Sequence, residues 1–114
     1  MEGAELILLY DYYGDLLTDR QKECFELRYN QDLSLGEIGQ ELGISRQGVH
    51  DNLSRTEALL ENMERKTGCV RRDRACRKAM AQIRILAKQL ETNTDPKTAD
   101  LARQILAQAA GLEE

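Results

Sequence analysis

The sequence predicts an all-α fold, a helix-turn-helix unit followed by a C-terminal helical hairpin. Three observations carry this. Apolar residues recur at spacings of 3 and 4 in six successive segments, the period of one helix face. Aromatic residues make up only 4% of the 114-residue chain, with no Trp and one Pro, which disfavours a β-sandwich. Capping residues and glycine stops separate the segments by short intervals. Hydrophobic residues at 41% suffice for one modest core, and charged residues at 32% require a largely wet surface.

The first helix is expected over about residues 4–13. Leu6, Leu9, Tyr10, Tyr13, Leu16 and Leu17 form one stripe, with Ile7, Leu8 and Tyr12 off it. A short helix this apolar is either deeply buried or covered by a partner. Thr18 and Gln21 have capping-box spacing and open a second helix, whose apolar side is Cys24, Phe25, Leu27 and Tyr29. Asn30, Gln31 and Asp32 form its exit turn. Ser34 and Glu37 repeat the capping box for a third helix faced by Leu35, Ile38 and Leu42, and Gly43 ends it. The fourth helix follows Ser45. Val49, Leu53, Thr56, Leu60 and Met63 give it a 4-3-4-3 seam, up to Thr67 and Gly68.

The fifth helix is expected over about residues 70–92, with Cys76, Ala79, Met80, Ile83, Leu86, Ala87 and Leu90 facing inward. Asn93 and Thr94 make a turn. Asp95 then caps a sixth helix with Pro96 at its first position. Leu101, Ala102, Ile105, Leu106 and Ala109 are its stripe, and Gly111 its expected end. Gly68 thus separates a helix-turn-helix domain with a long recognition helix, residues 1–68, from a hairpin, residues 69–114. The hairpin is expected to pack on that domain as one compact whole.

Charge refines the partner question. The chain holds 16 basic and 20 acidic residues, a net charge of −4, with a pI of about 5.1. This argues against a generic polycation that coats nucleic acid. The average conceals a dipolar chain, however. Residues 1–42 hold 3 basic and 10 acidic groups, residues 43–68 hold 4 of each, residues 69–90 hold 7 and 1, and residues 91–114 hold 2 and 5.

Other classes are disfavoured. No apolar run approaches the roughly 20 residues of a membrane span, and the first residues are acidic where a signal peptide is basic. Cys24, Cys69 and Cys76 are an odd count without CxxC spacing, so free thiols in a reducing cytoplasm are expected. One His, no Gly-rich phosphate loop and no ligand cluster leave no basis for catalysis, a metal or a cofactor.

The informative stretch runs from residue 35 to 49. Gly39 permits a close helix crossing, and Gly43 makes a sharp turn. Ile38, Leu42, Ile44 and Val49 fill the core between the helices. Ser45 caps a second helix whose first turns project outward, as a recognition helix must to enter a major groove. Ser45, Arg46, Gln47, His50, Asp51 and Arg55 are its candidate contacts. Arg pairs with guanine and Gln with adenine. Arg46 or Arg55 can equally clamp phosphate. Asp51 repels phosphate unless it accepts from a cytosine amino group or orients Arg55. For each residue the alternative is a solvated helix face. Gly48 weakens the same turn by roughly 1 kcal/mol relative to Ala.

A second candidate is the basic run Arg71, Arg72, Arg74, Arg77, Lys78, Arg84 and Lys88, interrupted only by Asp73. It reads as a phosphate-tracking patch, or as a solvated face paired with the acidic N-terminal half. No aromatic residue interleaves it, which disfavours single-strand stacking.

The residues Glu37, Ile38 and Gly39, with Leu42 to Arg46, resemble region 4 of bacterial sigma factors. The longer run of residues 34–38 and 45–57, with the tyrosine-rich residues 9–18 and residues 21–29, resembles the YlxM family of small cytoplasmic helix-turn-helix proteins. The likeness covers about residues 5–68. It implies a sigma region 4-like unit and a regulatory or RNA-associated role linked to the signal recognition particle pathway. The expected partners are DNA, or the RNA or protein of that particle. Apolar surface beyond the needs of one small core, on the first helix and the residue 49–63 seam, predicts a homodimer through the first helix, the hairpin or both.

Overall fold

A computed structural model describes residues 3–112, and all regular structure among them is helical. Helix α1 spans Gly3–Tyr13 and runs into a single 3-10 turn, Gly14–Leu16. It is followed by α2 (Asp19–Tyr29), α3 (Leu35–Leu42), α4 (Arg46–Thr67), α5 (Cys69–Glu91) and α6 (Pro96–Leu112).

The helix ends are set locally. Thr18 Oγ1 accepts from the Gln21 N–H at 3.2 Å, and Gln21 Oε1 accepts from the Thr18 N–H at 2.9 Å. Ser34 and Glu37 make the same reciprocal pair at 3.1 and 3.0 Å. Gly43 and Gly68 close α3 and α4 in the left-handed region, with φ of 69° and 62°. Asp32 turns the chain after α2 with φ of 57°, a conformation that Asp tolerates. Asp95 opens α6, its carboxylate accepting from the Lys97 N–H and the Thr98 hydroxyl. Gly111, by contrast, does not end α6. The helix continues through it to Leu112 because the residue keeps a negative φ, and a helical glycine costs only about 1 kcal/mol.

The chain divides into two compact units, Met1–Val70 and Arg71–Glu114. In the first, α1, α2 and α3 all pack on α4. One core cluster gathers Leu6, Leu9, Tyr13, Phe25, Leu60 and Val70, and a second joins Cys24, Ile38, Val49 and Leu53. Ile7 and Leu8 are half-buried against the first cluster, so most of the apolar excess of α1 is used within this unit, while Tyr12 stays exposed. Leu16 leaves the predicted stripe and is 71% exposed. The 3-10 turn advances three residues per turn rather than 3.6 and rotates it outward.

Tyrosines tie the bundle together. Tyr10 stacks on Phe25 with centroids 4.3 Å apart, and Tyr29 packs against Phe25 at 4.5 Å. Tyr13 donates to Glu64 Oε1 at 2.7 Å and lies 2.6 Å from the Thr67 hydroxyl, linking α1 to the end of α4. Tyr29 donates to Glu57, linking α2 to α4. Burial, then donation to Glu26 and Glu57 respectively, pushes Tyr10 and Tyr29 up to about 12.

The second unit buries much less. Ala87, Ala99, Ala102 and Ala109 are its buried hydrophobic residues, with Met80 and Leu106 half-buried. Of the α5 residues expected to face inward, Cys76, Ala79, Ile83, Leu86 and Leu90 are exposed, as are Leu101 and Ile105 of α6. Within this unit each helix has one helical neighbour, so only a narrow strip of each is covered.

Candidate nucleic-acid interface

The turn between α3 and α4 depends on backbone proximity. The Ile44 N–H donates to Gly39 O at 3.0 Å. A Cβ on Gly39 would stand 2.7 Å from Ile44 O, so no side chain fits there. Arg20 of α2 adds a support that sequence reasoning missed, its guanidinium donating to Leu42 O at 3.3 Å. A cation at a helix C-terminus suits the helix dipole, but nothing in the spacing of Arg20 and Leu42 signals the contact. Ser34 N–H and hydroxyl contacts hold the exposed Glu37 carboxyl below the usual carboxylate range at the start of α3.

Ser45 caps α4, its hydroxyl accepting from the Gly48 N–H at 2.9 Å. Gly48 leaves that hydroxyl room, since a Cβ there would lie 3.1 Å from it. The first turn of α4 contains no acidic residue, which leaves the positive end of the helix available to an anion. Val49, Leu53, Thr56 and Leu60 are buried on one side of α4. Arg46, Gln47, His50, Asp51 and Arg55 are all exposed on the other. Ser54, four residues after His50, belongs to the same outward face. The helical period alone could have found it.

The face is partly engaged with itself. Gln47 Nε2 donates to Asp51 Oδ1 at 2.9 Å, and His50 Nδ1 lies 3.5 Å from the same oxygen. Asp51 therefore draws in two of the candidate base readers and does not orient Arg55. Gln and Asp four apart on a helix commonly pair this way, so the signal was present in the sequence. Arg46 and Arg55 carry the positive charge of this face.

The basic run belongs to the second unit. Arg71, Arg72, Arg74, Arg77, Lys78 and Lys88 are exposed on α5, and Arg84 is half-buried. Arg77 Nε donates to Asp73 Oδ2 at 3.0 Å, so this cation is shared with a carboxylate. Among the described residues no group of His, Cys, Asp and Glu could hold a metal ion, and no helix is long and apolar enough to cross a membrane.

This arrangement has relatives. The model of the family UPF0122, described as "Putative helix-turn-helix protein, YlxM / p13 like", matches residues 2–101. A UPF0122 protein of Desulforamulus reducens is 41% identical over 105 residues, covering 92% of this chain and 90% of that relative. A UPF0122 protein of Thermoanaerobacter pseudethanolicus is 58% identical over 67 residues, 59% of this chain and 57% of the relative. A Bacillus cereus UPF0122 protein is 41% identical over 83 residues, 73% of this chain and 76% of the relative. The matched segment thus spans little more than half of the Thermoanaerobacter protein and nearly all of the Desulforamulus one.

Proposed function

The chain belongs to the UPF0122 family of YlxM/p13-like helix-turn-helix proteins, and on that premise we propose that it is a cytoplasmic nucleic-acid-binding regulator. One observation carries the reading. The Ser45 cap and the Gly39–Ile44 contact hold the first turns of α4 rigidly outward, with Arg46, Gln47, His50, Asp51 and Arg55 on the solvent face. Such a helix enters a major groove with its N-terminal residues toward the base edges. Arg46 stands nearest the cap and is the first base or phosphate contact. The test is selection of enriched duplexes from a random pool, followed by titration of the best one. Arg46→Ala should weaken binding by roughly 1–3 kcal/mol. No enriched duplex, or full affinity in the variant, would remove this reading.

A second reading is favoured by Asp51, which engages Gln47 and lies beside His50 on the very face that would read bases. Here α4 does not read sequence, and the chain is an adaptor for the RNA or protein of the signal recognition particle. The cations Arg74 and Lys78 then contact phosphate. A gel shift with the particle RNA, alone and with its protein, separates the two readings. Neutralising Arg74 and Lys78 should abolish the shift in this case and leave duplex binding by α4 intact in the other.

A further inference from the structure

The bond between Gln47 and Asp51 fixes more than the position of two side chains. Both residues are exposed and stand one turn apart on the outward face of α4. Gln47 Nε2 donates to Asp51 Oδ1 at 2.9 Å, while His50 Nδ1 lies farther from the same oxygen, at 3.5 Å. An ionised carboxylate only accepts hydrogen bonds. Gln47 must therefore turn its amino group, and not its carbonyl, toward Asp51. The carboxamide is set in one of its two flip states by chemistry and not by shape.

What remains of the Gln47 amide is a single N–H donor beside the Oε1 acceptor. That pair matches the major-groove edge of adenine, where N6 donates and N7 accepts. Guanine presents two acceptors there, N7 and O6, and would set one of them against Oε1. Freed of Asp51, Gln47 could turn both N–H groups outward and suit guanine as well. Asp51 thus narrows what Gln47 can read. Its own charge works against the duplex, because a carboxylate on this face repels phosphate whatever the base. The two effects are separable. One acts on sequence preference, and the other on affinity for every duplex.

We propose that Asp51 is a specificity-determining positioning residue, which holds Gln47 in the orientation that reads adenine and rejects guanine. The inference rests on the first reading above, in which α4 enters the major groove of duplex DNA. Arg46, at the start of the helix, lies outside the Gln47–Asp51 pair and reports on that reading alone.

The test uses the full chain and the duplex most enriched from a random pool. Each A·T pair within it is changed in turn to G·C, and affinities are read by fluorescence anisotropy at one salt concentration. One position should prefer adenine over guanine by roughly 5- to 100-fold, and Gln47→Ala should remove that preference. Asp51→Ala should also lose most of it, yet bind the adenine duplex at least as tightly as the native chain, since a repelling charge is gone. Asp51→Glu keeps an acceptor-only carboxylate one turn from Gln47 and should retain the preference. A preference unchanged in Asp51→Ala would overturn the proposal, as would an equal loss of affinity for every duplex in that variant. If Arg46→Ala still weakened binding in either case, the groove reading would stand. No enriched duplex at all would overturn both.

Discussion

The two units are built from helices of the same period and end differently. The first buries Phe25, Ile38 and Leu60 completely, whereas the second buries only alanines and leaves its isoleucines and leucines in water. In the first unit α4 is surrounded by α1, α2 and α3, so large side chains find neighbours on several sides. The second consists of α5 and α6 alone. The comparison teaches that an apolar stripe marks a helix face able to be buried. Whether it is buried depends on how many neighbours the fold supplies.

Identical substitutions in the two units should sharpen that contrast. The largest effect is expected at Leu60, fully buried, where Leu60→Ala should cost about 2–5 kcal/mol. Leu86→Ala, at a residue 58% exposed, should cost the isolated monomer under about 1 kcal/mol. Urea unfolding of both variants, at dilutions where the chain is monomeric, measures the difference. Equal costs would mean that the two units are not differently packed.

A smaller difference should separate two helical glycines. Gly39→Ala places a methyl group 2.7 Å from a backbone oxygen and should destabilise by roughly 1–3 kcal/mol, with loss of duplex binding. A Cβ on Gly111 meets nothing within 4 Å, so Gly111→Ala should be neutral or stabilise by less than about 1 kcal/mol. Thermal melts of the pair would show the reversal of sign or its absence.

The third contrast is in pH dependence. All four tyrosines lie in the first unit. Tyr10 and Tyr29 have pKa values raised from 10.0 to about 12 in the folded chain. Their contribution to stability is full below pH 10 and is lost as pH rises toward 12, because the unfolded tyrosines ionise first. Tyrosinate absorbance from Tyr10 and Tyr29 should therefore develop well above pH 10, and burial raises Tyr13 as well. Uniform ionisation near pH 10 in the folded protein would break this expectation.

What was legible in the sequence is mostly short in range. Thr18 with Gln21, and Ser34 with Glu37, announced two helix starts because a capping box closes within one turn. Gly43 and Ser45 marked the turn and cap of the candidate interface for the same reason, and the outward face of α4 followed from its period. The Asp51 bond to Gln47 is equally local and was discernible from spacing. The Arg20 support of Leu42 was not, since the two residues meet only after α2 and α3 have packed. The Tyr10–Phe25–Tyr29 stack was hidden in the same way.

The sequence by itself determined six helices, most of their caps and the helix-turn-helix, because backbone hydrogen bonds and cap geometry are satisfied within a few residues; the stop expected at Gly111 is the exception. Only the tertiary structure decided which apolar stripes are covered. It turned Leu16 outward, drew Ile7 and Leu8 onto the core, and left Ile83, Leu86 and Leu90 exposed. Burial is a relation between elements distant in the chain, and the period of one helix records its own face but not its neighbour.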